Sequence, residues 1–236
     1  LLKALNYKTN DEIITVSNSF IATCGAITYA GQKPILVDIE NDLNIDPKLI
    51  EKKITKKTKA IMPVHLEGKM ANMVAISQIA KKNGLLIIED AAQAFGSKFL
   101  DHQPGNLSDI ACFSFHPLKN LNAAGDGGLV ATNNHELIEK VNRMKNHGQI
   151  SRNISNEFGF VSRLDSIQAA ILNIKLDDLD STINCRRSFA KQYQENLTKY
   201  KIQNPIYSSE VFHSYHLYVI EIDNRDRVQE ALKNVG

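Results

Sequence analysis

Short β-rich apolar runs alternate with helical patterns along most of this chain, and that alternation constrains its fold more than any other feature. Candidate strands occupy residues 12–17, 34–39, 60–65, 85–89, 110–115 and 128–132. Several are close to continuously apolar, as in Leu85-Leu86-Ile87-Ile88. A strand covered on one face alternates apolar and polar residues, so an unbroken run marks a strand covered on both. Helical patterns fill the intervals at 20–30, 47–53, 73–83 and 135–146, with another from Leu164 onward. Asn133-Asn134 precedes the fourth, and asparagine is a good N-cap. In the fifth, Leu164, Ile167, Ile171 and Ile174 follow one another at steps of three and four, which makes one apolar stripe. This order predicts an α/β domain around a mostly parallel sheet.

Around residues 181–187 the pattern becomes more polar. A helix at 187–200 is expected next, then Pro205, a strand at 215–222 and a last helical pattern at 226–235. The expected division is a large domain at 1–182 and the beginning of a small C-terminal α+β domain at 183–236. The opening Leu1-Leu2-Lys3-Ala4-Leu5 reads as the last turns of a helix, and Gly236 directly follows a helical pattern. Both ends look cut, so the chain is expected to be a piece of a longer protein.

Composition narrows the function. Net charge is +2, with 23% charged residues, which argues against a charge-driven nucleic-acid binder. No apolar run reaches the roughly 18–20 residues of a membrane helix, and the N-terminus lacks signal-peptide character. Cys24, Cys112 and Cys185 are scattered and never in a CxxC spacing, so neither disulfides nor structural zinc are expected and a reducing cytoplasm fits. His65, His116 and His147 lack metal-ligand spacing, and no metal is expected. The lysine-rich run at 52–59 has no interleaved aromatics and reads as a solvated helix end. Neither GxGxxG nor GK[ST] is present, so dinucleotide and triphosphate loops have no support.

Two segments carry candidate chemistry. Glu89-Asp90-Ala91-Ala92-Gln93 places an acid at the carboxyl end of an expected buried strand, where open α/β sheets bind ligands. A shielded carboxylate there needs a cation or several donors. By itself the segment is also compatible with Asp90 capping the next helix and Gln93 lying on the surface. In Cys112-Phe113-Ser114-Phe115-His116-Pro117-Leu118-Lys119-Asn120, strand alternation turns Cys112, Ser114 and His116 one way. Pro117 should end the strand, leaving Lys119 on a loop before the glycine-rich stretch 123–128. A plain exposed lysine before a tight turn fits that context too. Taken together, a buried carboxylate and a loop lysine are what pyridoxal phosphate needs. The acid keeps the pyridine ring cationic, and the lysine holds the cofactor as an imine and moves a proton. A hydroxyl such as Ser114 can bind the phosphate.

The sequence resembles the fold-type I sugar aminotransferases of the DegT/DnrJ/EryC1/StrS family across nearly its whole length. The resemblance rests on ordered segments: 11–15, 19–23, 34–38, 63–66, 89–94, 113–120 with 125–128, Asn146-His147-Gly148, 162–165 and 213–218. It implies a pyridoxal-phosphate-binding large domain with a mostly parallel mixed sheet. Lys119 matches the lysine that carries the cofactor, Asp90 the partner of the pyridinium nitrogen, and Gln93 the glutamine beside the ring and its 3-hydroxyl. Ser114 matches a phosphate contact, and Phe20 the aromatic stacked on the ring, although a plain core phenylalanine is its other reading. His147 fits the active-site surroundings or a structural role. Arg163 either binds an acidic substrate or pairs across a dimer. Cys112 reads as a packed thiol.

Four departures accompany the resemblance. The family's glycine-threonine phosphate segment belongs before residue 1. Val161 stands where an asparagine usually reaches the neighbouring subunit's phosphate, and Glu67 stands where an aromatic is common. The small domain stops short of its later strands. The implied activity is transfer of an amino group from an amino acid, glutamate by resemblance, to a nucleotide-linked keto sugar. The implied setting is a cytoplasmic homodimer with a shared active site, serving surface polysaccharide or secondary-metabolite biosynthesis. One rival is a sugar dehydratase with the same cofactor, whose lysine is typically replaced by histidine. Another is a non-catalytic or regulatory relative, or an inactive fragment. A generic α/β binding protein is the third.

Overall fold

The structure, a computed structural model, describes residues 1–200, 202 and 209–235. In chain order the strands are β1 (Glu12–Val16), β2 (Lys33–Val37), β3 (Thr58–Ile61), β4 (Leu86–Asp90), β5 (Lys98–Phe99), β6 (Ile110–Ser114), β7 (Gly128–Thr132), β8 (Gln149–Ser151), β9 (Ile154–Ser155) and β10 (Val211–Phe212). The helices are α1 (Ala22–Tyr29), α2 (Pro47–Ile50), α3 (Met73–Asn83), α4 (His135–Met144), α5 (Ser166–Asp177), α6 (Leu179–Thr198) and α7 (Arg225–Lys233).

The main sheet runs β2-β1-β3-β4-β6-β7. Its pairings are parallel except that between β6 and β7, so the sheet is mixed but mostly parallel, as the alternation predicts. Pro34 is tolerated in β2 because β2 is an edge strand, where a missing N–H costs no ladder bond. The expected strand at 60–65 ends early, because Pro63 has no N–H to donate. Val64 joins only through a single bridge to Asp90.

The apolar runs are explained by two cores. Ile14, Ile61 and Ile87 point to one face with Met73 and Ile76 of α3. Ile13, Ala60 and Ile88 point to the other, with Ile27 of α1 and Leu137 of α4. Neighbouring residues of one strand therefore enter different cores, which is why such strands read as near-continuous apolar runs. Asn72 caps α3 by accepting from Ala75 N at 3.1 Å, and Asn134 caps α4 by accepting from Leu137 N at 3.0 Å.

Two expectations are corrected beyond residue 180. The helix expected at 187–200 begins earlier: α6 starts at Leu179 and runs through the polar stretch 181–187. Leu179 and Ile183 of its buried side pack with Phe115 and Leu172, which suffices to keep a polar-looking sequence helical. The strand expected at 215–222 does not form. The amides of Ser214 and Leu217 instead donate to the carbonyls of Gly68 and Glu67, at 2.9 and 3.2 Å. Arg186 takes the Tyr215 carbonyl at 3.1 Å, and the nearby strand pairing is β10 with β5. Pro205 and Gly236 lie outside the described residues.

Candidate active site

β4 and β6 run parallel and adjacent, so Asp90 and Ser114 both emerge at carboxyl ends of the sheet. Even-numbered residues of β4 face the α1 side, which puts Asp90 in line with Ile88. The start of α1, after β1, crosses above them. There Thr23 Oγ1 donates to Asp90 Oδ2 at 2.6 Å, and the Ala92 amide donates to Oδ1 at 3.2 Å. Ser19 Oγ lies 2.6 Å from Thr23 Oγ1. The Asp90 backbone is clamped as well, since its N–H donates to Pro63 O and its carbonyl accepts from His65 N. Asp90 is thus fixed in aim and not a helix cap.

Lys119 follows the turn that Pro117 opens. Its amide donates to His116 O, and its carbonyl accepts from Asn122 Nδ2 at 2.7 Å. Burial lowers the Lys119 pKa below the usual lysine value, while the Asp90 carboxylate opposes that shift. The two groups therefore sit within each other's field. Ser114 Oγ accepts from the His116 amide at 3.2 Å, which leaves its own proton to donate outward. Gln93 Oε1 accepts from the Glu67 amide at 2.6 Å.

An open cleft of about 1010 Å³ follows this face of the sheet. Thr23, Asp90, Cys112, Ser114, Gly127 and Arg163 are among the residues that line it. Lys119, Gln93 and Phe20 are not part of that lining. Phe20 is 73% exposed at the entry to α1, so it is not a core residue. Burial pushes the Cys112 thiol up to about 12, which leaves it inert. His116 is exposed, and its Nδ1 accepts from Leu118 N. His147 is in the left-handed region at φ 61 beside β8. Among the described residues no three His, Cys, Asp or Glu side chains gather into a metal site. No described helix is long and apolar enough to cross a membrane.

Thr23 was not among the sequence-derived candidates. The available signal was Ser19 and Thr23 four residues apart at a helix start just past a strand end. His216 was also missed. Burial, with Lys119 and Arg186, drives its imidazole down to about 4, so it is neutral near pH 7 beside the lysine.

The sequence matches the DegT/DnrJ/EryC1/StrS aminotransferase family over residues 1–236. A relative from Geobacillus stearothermophilus, a "pleiotropic regulatory protein", is 44% identical over all of this chain and 64% of its own length. A UDP-2-acetamido-2-deoxy-3-oxo-D-glucuronate aminotransferase from Pseudomonas aeruginosa is 41% identical over 99% of this chain and 65% of its own. The chain thus spans just under two thirds of these curated relatives. Among solved structures, NtdA of Bacillus subtilis with bound cofactor PMP superposes with a TM-score of 0.87 at 38% identity. That match covers 97% of this chain and 53% of NtdA.

Proposed function

The chain belongs to the DegT/DnrJ/EryC1/StrS aminotransferase family, and from that premise we propose that it is the cofactor-binding part of a pyridoxal-phosphate-dependent nucleotide-sugar aminotransferase. The observation that carries this reading is Asp90, held by Thr23 at the end of β4 with Lys119 in its field. The donor set fits the cofactor. A fixed carboxylate, an amine of lowered pKa, an amide with its N–H₂ end uncommitted to Glu67 and a hydroxyl with a free proton suit its ring nitrogen, aldehyde, ring oxygen and phosphate in turn.

When bound, the cofactor supplies an electron-accepting pyridinium that stabilises negative charge at the carbon next to the migrating nitrogen. Asp90 would hold the proton on the ring nitrogen, and Thr23 keeps that carboxylate from turning away. Lys119 Nζ is the attachment point. Its amine could also take and return a proton, a task that its lowered pKa suits. Gln93 Nε2 would donate to the ring oxygen, Ser114 would anchor the phosphate, and Phe20 would offer an aromatic face to the ring.

The substrates in this reading are an amino-acid donor, glutamate, and a keto sugar carried on a nucleotide. The Pseudomonas relative's name supports the sugar. We place the protein in the cytoplasm, as a homodimer with a shared site, in a surface polysaccharide or secondary-metabolite pathway. A dehydratase is not favoured, since Lys119 is retained and the similar enzymes are named as transaminases. The regulatory name of the Geobacillus relative keeps one second reading, a cofactor-binding regulator.

Borohydride trapping tests the proposal. Wild-type protein with pyridoxal phosphate should show a visible band and, after reduction, a covalent adduct on the peptide containing Lys119. The Lys119→Ala variant should show neither. Glutamate should bleach the wild-type band. An adduct that persists in the variant overturns the assignment, and a band untouched by amino donors favours the regulator.

A further inference from the structure

The contact between Gln93 and Glu67 fixes which end of the glutamine is which. A backbone N–H only donates, so the atom 2.6 Å from Glu67 N is the carbonyl oxygen, and Nε2 is the end left to donate elsewhere. The direction of that N–H is set by a turn of uncommon geometry. Glu67 has φ 64 and Gly68 has φ 97. Residues other than glycine seldom adopt the first, and the second suits glycine alone, so surrounding contacts must hold the turn.

Those contacts come from residues 213–217. Ser214 N donates to Gly68 O at 2.9 Å, and Leu217 N donates to Glu67 O at 3.2 Å. Ser97 Oγ adds a second donor to Gly68 O at 2.7 Å and lies 2.8 Å from Ser214 Oγ. The segment is itself anchored, because Asn120 Nδ2 donates to Ser214 O at 3.1 Å and Arg187 Nη1 to His213 O at 2.9 Å. The fit leaves no room. A Cβ on Gly68 would lie 2.5 Å from Ser214 Oγ, 2.8 Å from His216 N and 3.0 Å from Tyr215 N.

We propose that residues 213–217 position Gln93 for the cofactor's ring oxygen by clamping the backbone turn at Glu67 and Gly68. The inference rests on the pyridoxal-phosphate reading above. Gly68, Ser97 and Ser214 are positioning residues in it, acting on the cofactor only through the Glu67 amide and the Gln93 side chain. The glycine is required because two backbones meet there, and the segment from beyond α6 thereby reaches a group at the end of β4.

The test reads the pH midpoint of the visible cofactor band, not turnover. A donor on the ring oxygen withdraws electron density from the proton shared with the Lys119 nitrogen, so losing the donor raises the midpoint. Gln93→Ala should raise it by about one unit. Gly68→Ala should move it in the same direction by at least half as much, and the double variant should go no further than Gln93→Ala alone. Should Gly68→Ala fail to fold, Ser97→Ala decides, since it removes one hydroxyl and adds nothing. Its shift should be smaller, in the same direction, and absent in the Gln93→Ala background. A midpoint that answers to Gln93 but to neither Gly68 nor Ser97, or additive shifts, overturns the clamp alone. A wild type with no band that borohydride fixes at Lys119 overturns the cofactor reading and the clamp with it.

Discussion

At the scale of single residues, the site depends on how Asp90 is held. Its Oδ2 receives a hydroxyl and its Oδ1 a backbone amide, so both oxygens have a donor before any ligand arrives. A hydrogen bond to a charged acceptor contributes about 1.5–3 kcal/mol. Thr23→Val keeps the shape and removes the donor, and should weaken pyridoxal-phosphate binding by about tenfold or more, while Thr23→Ser should retain most of it. Equilibrium titration of cofactor fluorescence checks this. Equal affinity in the valine variant would remove Thr23 from the site. The placement of Asp90 at a strand end and of Lys119 in a turn past a proline-terminated strand was legible in the sequence, because both signals are local. Thr23 was not, since nothing local shows that α1 crosses above β4.

At the scale of elements, the end of β3 is tied to β4 by a buried pair. His65 Nε2 and Glu89 Oε2 are 2.5 Å apart, and both side chains are fully buried. His65 Nδ1 accepts from Ala71 N, so the ring proton sits on Nε2 and is donated to the carboxylate. Burial pushes the Glu89 carboxyl up. The His65 bond and field, Ser108 and the Gly105 amide outweigh it, and the net direction is down. A carboxyl lowered on folding adds stability above its unfolded pKa and loses it as pH falls through its folded value. Glu89→Gln should therefore lose stability at pH 7 and lose less than wild type on acidification. His65→Leu, which strands a buried charge, should cost about 3–5 kcal/mol. Urea midpoints at pH 7 and at pH 4 separate these outcomes. Parallel wild-type and Glu89→Gln losses would exclude Glu89 as the titrating group.

At the scale of the whole molecule, large apolar side chains lie open along one stretch. Phe158 is fully exposed, Val161 is 59% exposed, and Ile167 and Ile174 of α5 are each 69% exposed. Ile167 and Ile174 are two turns apart on one helical face, whose apolar period was visible in the sequence. The sequence does not say whether such a stripe turns inward or outward. Leu172 enters the core while Ile174 does not. We assign the exposed side to the proposed homodimer contact. Ile174→Asp should convert a dimer into a monomer by sedimentation and leave the melting temperature of the monomer unchanged. A variant that stays dimeric would move the contact elsewhere.

The sequence by itself determined the order of the six main-sheet strands and the helices between them, their two-sided burial and the strand ends that carry Asp90 and Ser114. Periodicity and proline act within a few residues, so they are readable without a fold. Only the tertiary structure decided which distant groups meet. Thr23 and Asp90 are 67 residues apart, and Ser214 and Gly68 are 146 apart. The same long-range contact explains why 215–222 is not a strand. Within that stretch the Leu217 amide is committed to the Glu67 carbonyl and the Tyr215 amide to His213 Nδ1, and an amide can donate strongly to only one place.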